Sequence, residues 1–359
     1  MMRAPSSFAV VVRRHDGSLL VRERRVVDER TGVRKWPFVR GLASLVESLK
    51  LGGEALRFSA DQMTEAFEEQ DRKAAAAKKA KRGTGVTNVL TALGMTLFAL
   101  MTSDASGISP SPSSDGKKDK GKSPMGFMLV IAVAFLIALP QGASAGVNRL
   151  LHLNLEVQSP GFQLLTGCFK LTIVVGYLLL IRRMAEIRRV FQYHGAEHKT
   201  ISTYEAQEEL TVANARAKTT LHPRCGTTFL VMVALVSIAA FTAIGGLLPR
   251  IHTGNALVDN LVFFLEKLPF LPVLVAITFE IQRVFARYCT TGPLRALLWP
   301  GFLVQKITTI EPDDEQLEVA LASLQATLFR EREKGVDGGD VAFPSYDAIA
   351  QAERLRAAA

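Results

Sequence analysis

The chain has 359 residues, of which 48% are hydrophobic, and a formal net charge of +9 at pH 7. The apolar residues are gathered into long segments, and the mean hydropathy of +0.19 is high for a soluble protein. Short runs of lysine and arginine flank these segments, as the positive-inside rule describes, so the charge argues for a membrane protein and against a nucleic-acid-binding one. The three cysteines show no pattern of a disulfide framework.

The first 70 residues predict a small cytoplasmic α+β element. Two strand-like stretches within residues 7–27 are joined at Asp16-Gly17, a strong turn signal for a β-hairpin. Residues 36–61 have helical periodicity, and we expect a break at Gly52-Gly53. This stretch carries an apolar stripe that could pack on the hairpin or lie on the membrane surface: Leu42, Leu45, Val46, Leu49 and Leu56.

Low-complexity sequence predicts a solvated linker over residues 71–124. Within it, the apolar stretch 89–101 is too short to cross a bilayer at about 1.5 Å per residue, so we expect it to be interfacial or re-entrant. Longer apolar segments then predict a mainly α, polytopic membrane protein with about four transmembrane helices, at 126–140, 162–181, 227–248 and 268–281.

The distribution of basic residues places both termini and the loop after the second transmembrane helix in the cytoplasm. Near the C-terminus, Thr308 and Thr309 resemble the cap of a soluble helix, and we expect no fixed structure after Gly335. These features divide the chain into the segments 1–70, 71–124, 125–190, 191–226, 227–287 and 288–359.

The richest polar stretch is YHGAEHK, at residues 193–199. His194 and His198 are four residues apart, so a helix presents both imidazoles on one face, about 6 Å apart, as binding of one metal ion requires. Glu197 completes the pattern H-x-x-E-H, the inverted form of a zinc-peptidase signature in which the histidines bind zinc and the glutamate activates water. The pattern also occurs by chance, and ordinary surface or capping hydrogen bonds are the alternative.

A second pair, His222 and Cys225, follows a predicted helix over about 212–221. Such a helix rises about 15 Å and would bring this pair back to His194 and His198, which predicts a four-ligand His3Cys site. Four protein ligands would indicate a structural zinc site, whereas three ligands plus water would indicate a catalytic one.

Five further residues are candidates for supporting roles: Lys170, Lys199, Glu205, Arg224 and Glu280. Glu205 lies about 10 Å along the helix from His198, too far to bind the same ion, and it could orient a ligand or bond to the returning segment. Lys170 and Glu280 fall within predicted transmembrane helices, where ionisable residues are costly and suggest function. They could pair with each other, or Glu280 could reach the site; snorkelling and an interfacial position are the alternatives.

A family resemblance rests on several stretches of the chain: KWPFVRG at 35–41, YHGAEHK at 193–199, LTVAN at 210–214, LHPRCGTTF at 221–229 and QKITTIEP at 305–312. Together they resemble the YqhQ family of bacterial membrane proteins, over most of the chain outside the linkers and the tail. The resemblance implies a protein of the bacterial inner membrane whose function is uncharacterised and has been described as metal-dependent. Family members carry a further segment before the part that matches residues 1–5, so we expect the start to be truncated.

We therefore expect a metal-dependent membrane enzyme, most plausibly a hydrolase, with Glu197 as general base and zinc as the divalent metal at the cytoplasmic surface. One alternative is a non-enzymatic scaffold or interaction protein with a structural metal site. Another is a transporter component that uses Lys170 and Glu280. The expected partners are the lipid bilayer and either further copies of this chain or other membrane proteins, without nucleic acid.

Overall fold

The computed structural model describes residues 1–26, 36, 38–75, 139–249, 255–289, 292–332 and 339–358. The strands are β1 (Met2–Arg3), β2 (Ser7–Arg13), β3 (Leu19–Arg25) and β4 (Asp340–Phe343). The helices are α1 (Val39–Ala75), α2 (139–150), α3 (Pro160–Ile181), α4 (Ala185–Glu205), α5 (Val212–Arg216), α6 (Gly226–Ile244), α7 (Ala256–Lys267), α8 (Leu271–Tyr288), α9 (Trp299–Thr308), α10 (Asp314–Arg332) and α11 (Tyr346–Ala358). The described part is therefore mainly helical, as predicted, with one small sheet.

Both ends of the chain build this sheet, which is antiparallel and has the order β1-β2-β3-β4. The predicted hairpin is confirmed, because β2 pairs with β3 and the turn residue Gly17 has a φ of +85°, which favours glycine. The expectation of an unstructured tail is wrong for residues 339–358, which form the edge strand β4 and helix α11. The N-terminal and C-terminal segments thus form one packed unit.

Helix α10 lies at the centre of this unit, because it is buried on opposite faces. One face packs against the sheet through Val319, Ala322 and Ala326. Another face packs against α4 and α5 through apolar residues that include Leu317 and Leu321. The core of this unit therefore connects the sheet to the helix that carries His194 and His198.

The predicted start of this helix at Thr308 and Thr309 is wrong. These threonines end α9 instead, where the Thr309 hydroxyl donates to the carbonyl oxygen of Gln305 at 2.7 Å. The cap of α10 is a reciprocal pair, in which the Gln316 N–H donates to Asp313 Oδ1 at 2.8 Å and the Asp313 N–H donates to Gln316 Oε1 at 3.1 Å.

Helix α1 is longer than predicted and passes through Gly52-Gly53 without a break. Two interior glycines cost about 1 kcal/mol each, and the burial of Ala55 and Phe58 against the hairpin offsets this cost. The members of the predicted apolar stripe whose side chains the structure describes do not pack on the sheet. Three of its members are exposed: Leu42, Val46 and Leu56.

Within the described residues, three helical stretches are long and apolar enough to cross a bilayer: Pro160–Ile181, Gly226–Leu247 and Leu261–Tyr288. They correspond to the second, third and fourth predicted transmembrane helices, with mean hydropathies of 2.1, 2.4 and 1.9. The first predicted segment, 126–140, lies outside the described residues except for 139 and 140, which begin α2. The linker, with its stretch 89–101, also lies outside the described residues apart from 71–75, which end α1.

The end of α3, the start of α6 and the end of α8 lie together, and this arrangement positions the candidate site. Gln282 of α8 donates to the carbonyl oxygen of Cys225, directly before α6, at 3.3 Å. Arg182, directly after α3, donates to the carbonyl oxygen of Lys306 in α9 at 2.6 Å, and α9 packs on α6. We call this common end of the apolar stretches the site end.

The segment that follows α9 crosses helix α4 at close range. The Ile310 N–H donates to the carbonyl oxygen of Phe191 at 3.0 Å. The carbonyl oxygen of Ile310 lies 2.2 Å from the position that a Cβ on Gly195 would take, a distance that real Cβ atoms essentially never show. Glycine at position 195 therefore permits backbone contact between α4 and this segment.

Replacement of Gly195 by alanine is expected to destabilise the protein by about 1–3 kcal/mol, because the added methyl group must displace a backbone carbonyl. Gly52→Ala is the matched control, since a Cβ there meets nothing within 4 Å and removes an unfavourable helical glycine. Thermal unfolding of the purified full-length variants measures both effects. An unfolding temperature for Gly195→Ala equal to that of the wild type would contradict the close approach.

Candidate metal centre

Helix α4 presents His194 and His198 one turn apart, with their ring centroids 4.5 Å apart. His194 Nδ1 lies 3.0 Å from the carbonyl oxygen of Thr308, and His198 Nδ1 is hydrogen-bonded to the carbonyl oxygen of Thr220. A carbonyl oxygen only accepts, so both Nδ1 atoms carry the proton and donate. In the neutral form of each ring, Nε2 then has a lone pair to offer, in the way that backbone carbonyls orient metal-binding histidines.

Cys225 supplies a third donor atom from the residue directly before α6. Its Sγ lies 3.2 Å from His194 Nε2 and 3.1 Å from the Thr227 hydroxyl. One ligand atom from each of His194, His198 and Cys225 lies within 4.8 Å of the others. The structure thus brings three of the four predicted ligands together.

Electrostatics couple the thiol to the nearer imidazole. Burial alone would lower the pKa of His194, but the hydrogen bond and charge of Cys225, with a smaller contribution from Glu197, raise it to about 9. Burial would raise the pKa of Cys225, yet the bonds to His194 and His198 bring it well below its usual value. The pair thus holds one proton in the place that a cation with affinity for nitrogen and sulfur would occupy.

His222, the fourth predicted ligand, lines the same cleft but is not among the three residues whose ligand atoms lie within 4.8 Å of one another. Its Nδ1 accepts from the Arg224 N–H at 3.3 Å, and its Nε2 lies 3.3 Å from a carboxylate oxygen of Glu205. Burial lowers the pKa of His222, and the charge of Glu205 opposes this effect. The reason is local: α5 ends at Arg216 instead of continuing to about 221, so the returning segment reaches α4 as an irregular chain.

The remaining predicted residues lie at different distances from the cluster. Glu197 lines the same cleft and accepts a hydrogen bond from the α-amino group of Met1 at 2.8 Å. Glu205 also lines the cleft, where it binds His222 and Arg224 of the returning segment. The spacing argument that separated Glu205 from the ligands agrees with these contacts.

Three other candidates have structural contacts or lie elsewhere. Lys199 is buried, donates to the carbonyl oxygen of Arg216 at 2.8 Å and pairs with Glu311. Glu280 forms an ion pair with Arg40 of α1. Lys170 lies in α3 and does not line the cleft.

The cleft has a volume of about 330 Å³ and opens beside the three candidate ligands. Its lining includes Ile201 and Gly226 as well as the His, Glu, Arg and Cys side chains already named. Sequence reasoning missed Thr220 and Thr308, because backbone carbonyls act here and carry no residue-type signal. It also missed Gln305, whose buried amide binds both backbone groups of His222 and the Thr228 hydroxyl.

Comparison with known proteins places this geometry in a family. Residues 36–330, which include the cluster and the cleft, match the family model described as "Protein of unknown function (DUF1385)". The chain is 27% identical over 330 residues to "Uncharacterized protein YqhQ" of Bacillus subtilis (strain 168), with 89% of this chain and 86% of that protein covered. No solved structure matches the chain. The resemblance to the YqhQ family is thereby confirmed, and the chain belongs to the family of unknown function DUF1385.

Proposed function

We propose that the chain is a metal-dependent membrane enzyme, most simply a hydrolase, in which His194, His198 and Cys225 hold a divalent cation. The observation that carries the proposal is the convergence of one nitrogen from each of two imidazoles and one thiol within 4.8 Å, with both Nδ1 atoms hydrogen-bonded to backbone carbonyls. Nitrogen and thiolate donors favour zinc over magnesium or calcium. Zinc is therefore the cation we expect.

Three protein ligands favour catalysis, because a closed structural zinc site has four. The open position would face the cleft, where a bound zinc ion supplies Lewis acidity to a water or a substrate oxygen. Glu197 belongs to the same cleft, and its carboxylate is the group suited to accept a proton from water there. Arg224 pairs with Glu205 at the cleft and keeps that carboxylate away from the cluster.

A position in the bacterial inner membrane, with the cleft on the cytoplasmic side, accords with the charges at the site end. Arginines directly follow α3 and occupy the last turns of α8: Arg182, Arg183, Arg283 and Arg287. Under the positive-inside rule this end faces the cytoplasm. Both termini would then be cytoplasmic, because the sheet built from the two ends packs through α10 on α4.

A second candidate is a scaffold protein with a structural metal clamp. It is favoured by the burial of the ligands, since His198 is 4% exposed and Cys225 is 7% exposed. A cation held by these residues would also join α4 to the irregular segment 217–225 and to the start of α6. The two candidates make different predictions for metal removal.

The full-length protein purified in detergent is expected to contain about one equivalent of zinc, measured by elemental mass spectrometry. His194→Ala and Cys225→Ser each remove one of three donors and should lower the metal content at least about tenfold. His15→Ala and Cys168→Ser are matched controls, since His15 lies in an exposed turn and Cys168 is a free, exposed thiol in α3. His222→Ala should also retain the metal. A wild-type protein without stoichiometric metal would rule out both candidates.

Glu197→Gln separates catalysis from a structural role. The amide cannot accept a proton, so hydrolysis of chromogenic ester, amide and phosphoester substrates should fall about 10²–10⁴-fold while metal content stays unchanged. In the scaffold reading, a chelator would raise amide hydrogen exchange of residues 217–225, and Glu197→Gln would change nothing. Unchanged turnover in Glu197→Gln, on any substrate that the wild type hydrolyses, would reject Glu197 as the base.

Metal affinity is expected to depend on pH, because a cation must displace the proton shared by His194 and Cys225. The pKa of His194 is about 9, so apparent affinity should rise with pH, by about tenfold per unit, from neutral pH up to about 9 and then level off. Cobalt(II) titrations read at the thiolate-to-cobalt charge-transfer band measure this dependence. A flat profile between neutral pH and 9 would contradict the shared proton.

A further inference from the structure

The two tryptophans of the chain are both exposed. Trp36 precedes α1 and is 63% exposed, while Trp299 begins α9 and is 51% exposed. An indole ring in contact with water loses the benefit of burial, whereas the headgroup region of a bilayer is its preferred surroundings. The contacts of α1 and α9 show where each tryptophan lies relative to the long apolar helices.

The start of α1 is fixed to the last turns of α8. Arg40 Nε donates to one carboxylate oxygen of Glu280 at 2.8 Å, and a second guanidinium nitrogen binds the other oxygen. A Cβ on Gly41 would lie 2.7 Å from the Phe279 side chain, so the two helices are in close contact. Glu280 lies about 12 Å along the axis from the end of α8 at Tyr288. Trp36 is therefore held near the site end.

An exposed apolar face begins at this contact. Phe38, Val39, Leu42 and Val46 are all exposed, and their helical spacing places the last three on one side of α1. The residues that pack on the sheet, Ala55 and Phe58, lie on the opposite side at about 100° per residue. This apolar side of α1 therefore does not pack against the sheet.

A second exposed apolar face occurs on α9 and the 3₁₀ turn before it, Pro293–Leu298. Its exposed members are Leu294, Leu297, Trp299 and Leu303. A Cβ on Gly301 would lie 2.3 Å from the Thr228 side chain, so α9 is packed on the first turn of α6. This face also lies at the site end.

Positive charge accompanies the two faces. Exposed basic residues at the site end include Arg183, Arg283, Arg287, Arg295 and Lys306. Such residues are attracted to the negative surface of an anionic leaflet.

We infer that the start of α1 and the 293–308 segment lie in the headgroup layer of an anionic phospholipid bilayer and hold the candidate cleft at that depth. This inference rests on the membrane crossing in the proposed function.

The two tryptophans allow a direct test in full-length protein reconstituted into phosphatidylcholine–phosphatidylglycerol vesicles. Trp299→Phe leaves Trp36 as the reporter, and Trp36→Phe leaves Trp299. Lipids brominated near the headgroup end of the acyl chain should quench both reporters at least roughly twofold more than lipids brominated near the chain end. Quenching of the two reporters by aqueous iodide alone would overturn the inference.

Two further reporters, placed in the Trp36→Phe/Trp299→Phe background, separate this inference from the membrane crossing. Leu171→Trp, at the middle of α3, should be quenched by the chain-end bromines, and His15→Trp, in the hairpin turn, should be quenched by iodide only. If Leu171→Trp responds as expected and the native tryptophans do not, the crossing stands and the inference fails. If Leu171→Trp is not quenched by lipid, both fail. Equal quenching in pure phosphatidylcholine would overturn the preference for anionic lipid.

Discussion

The carbonyl oxygen of Ile310 occupies the space that a side chain at position 195 would need, and the candidate site depends on this contact. It places the carbonyl oxygen of Thr308 3.0 Å from His194 Nδ1, which fixes both the tautomer and the direction of the ring. Helix α10 begins a few residues later and packs on the sheet and on α4. The sheet, α4 and α9 are therefore joined through one short segment whose close approach to α4 only a glycine can accommodate.

Cys225 connects the packed unit of the sheet, α10 and α4 to the apolar helices, because it is the last residue before α6. In the proposed membrane position, α6 sets the depth of Cys225 in the bilayer, while the packed unit of the sheet, α10 and α4 sets the position of His194. A shift between the two parts would pull the thiol away from the imidazoles. The proposed interfacial faces on α1 and α9 oppose such a shift, since each is packed on an apolar helix and would rest on the headgroups. The proposed membrane position would thus be coupled to the geometry of the site.

The sequence predicted correctly those features that depend on interactions between residues close together in the chain. The Asp-Gly turn, the three apolar helical stretches and the histidine pair at helical spacing all depend on neighbours within a few residues. Strand β4 was missed because its partner lies far away in sequence; Arg22 and Asp340, which pair, are separated by 318 residues. The break expected at Gly52-Gly53 failed because tertiary burial outweighs helix propensity. The carbonyl oxygens that orient the histidines carry no side-chain signal at all.

The position of the His222 ring decides whether the candidate metal site has three or four protein ligands. The sequence placed it as a fourth ligand, which would have closed the site. In the structure, Gln305 holds its backbone from both sides, accepting from the N–H at 2.8 Å and donating to the carbonyl oxygen at 2.7 Å. The ring is thereby turned to Glu205, although its centroid is only 5.7 Å from that of His198. The buried amide of Gln305 therefore holds the backbone of His222, and in the proposed metal site this leaves three protein ligands and a fourth position for water.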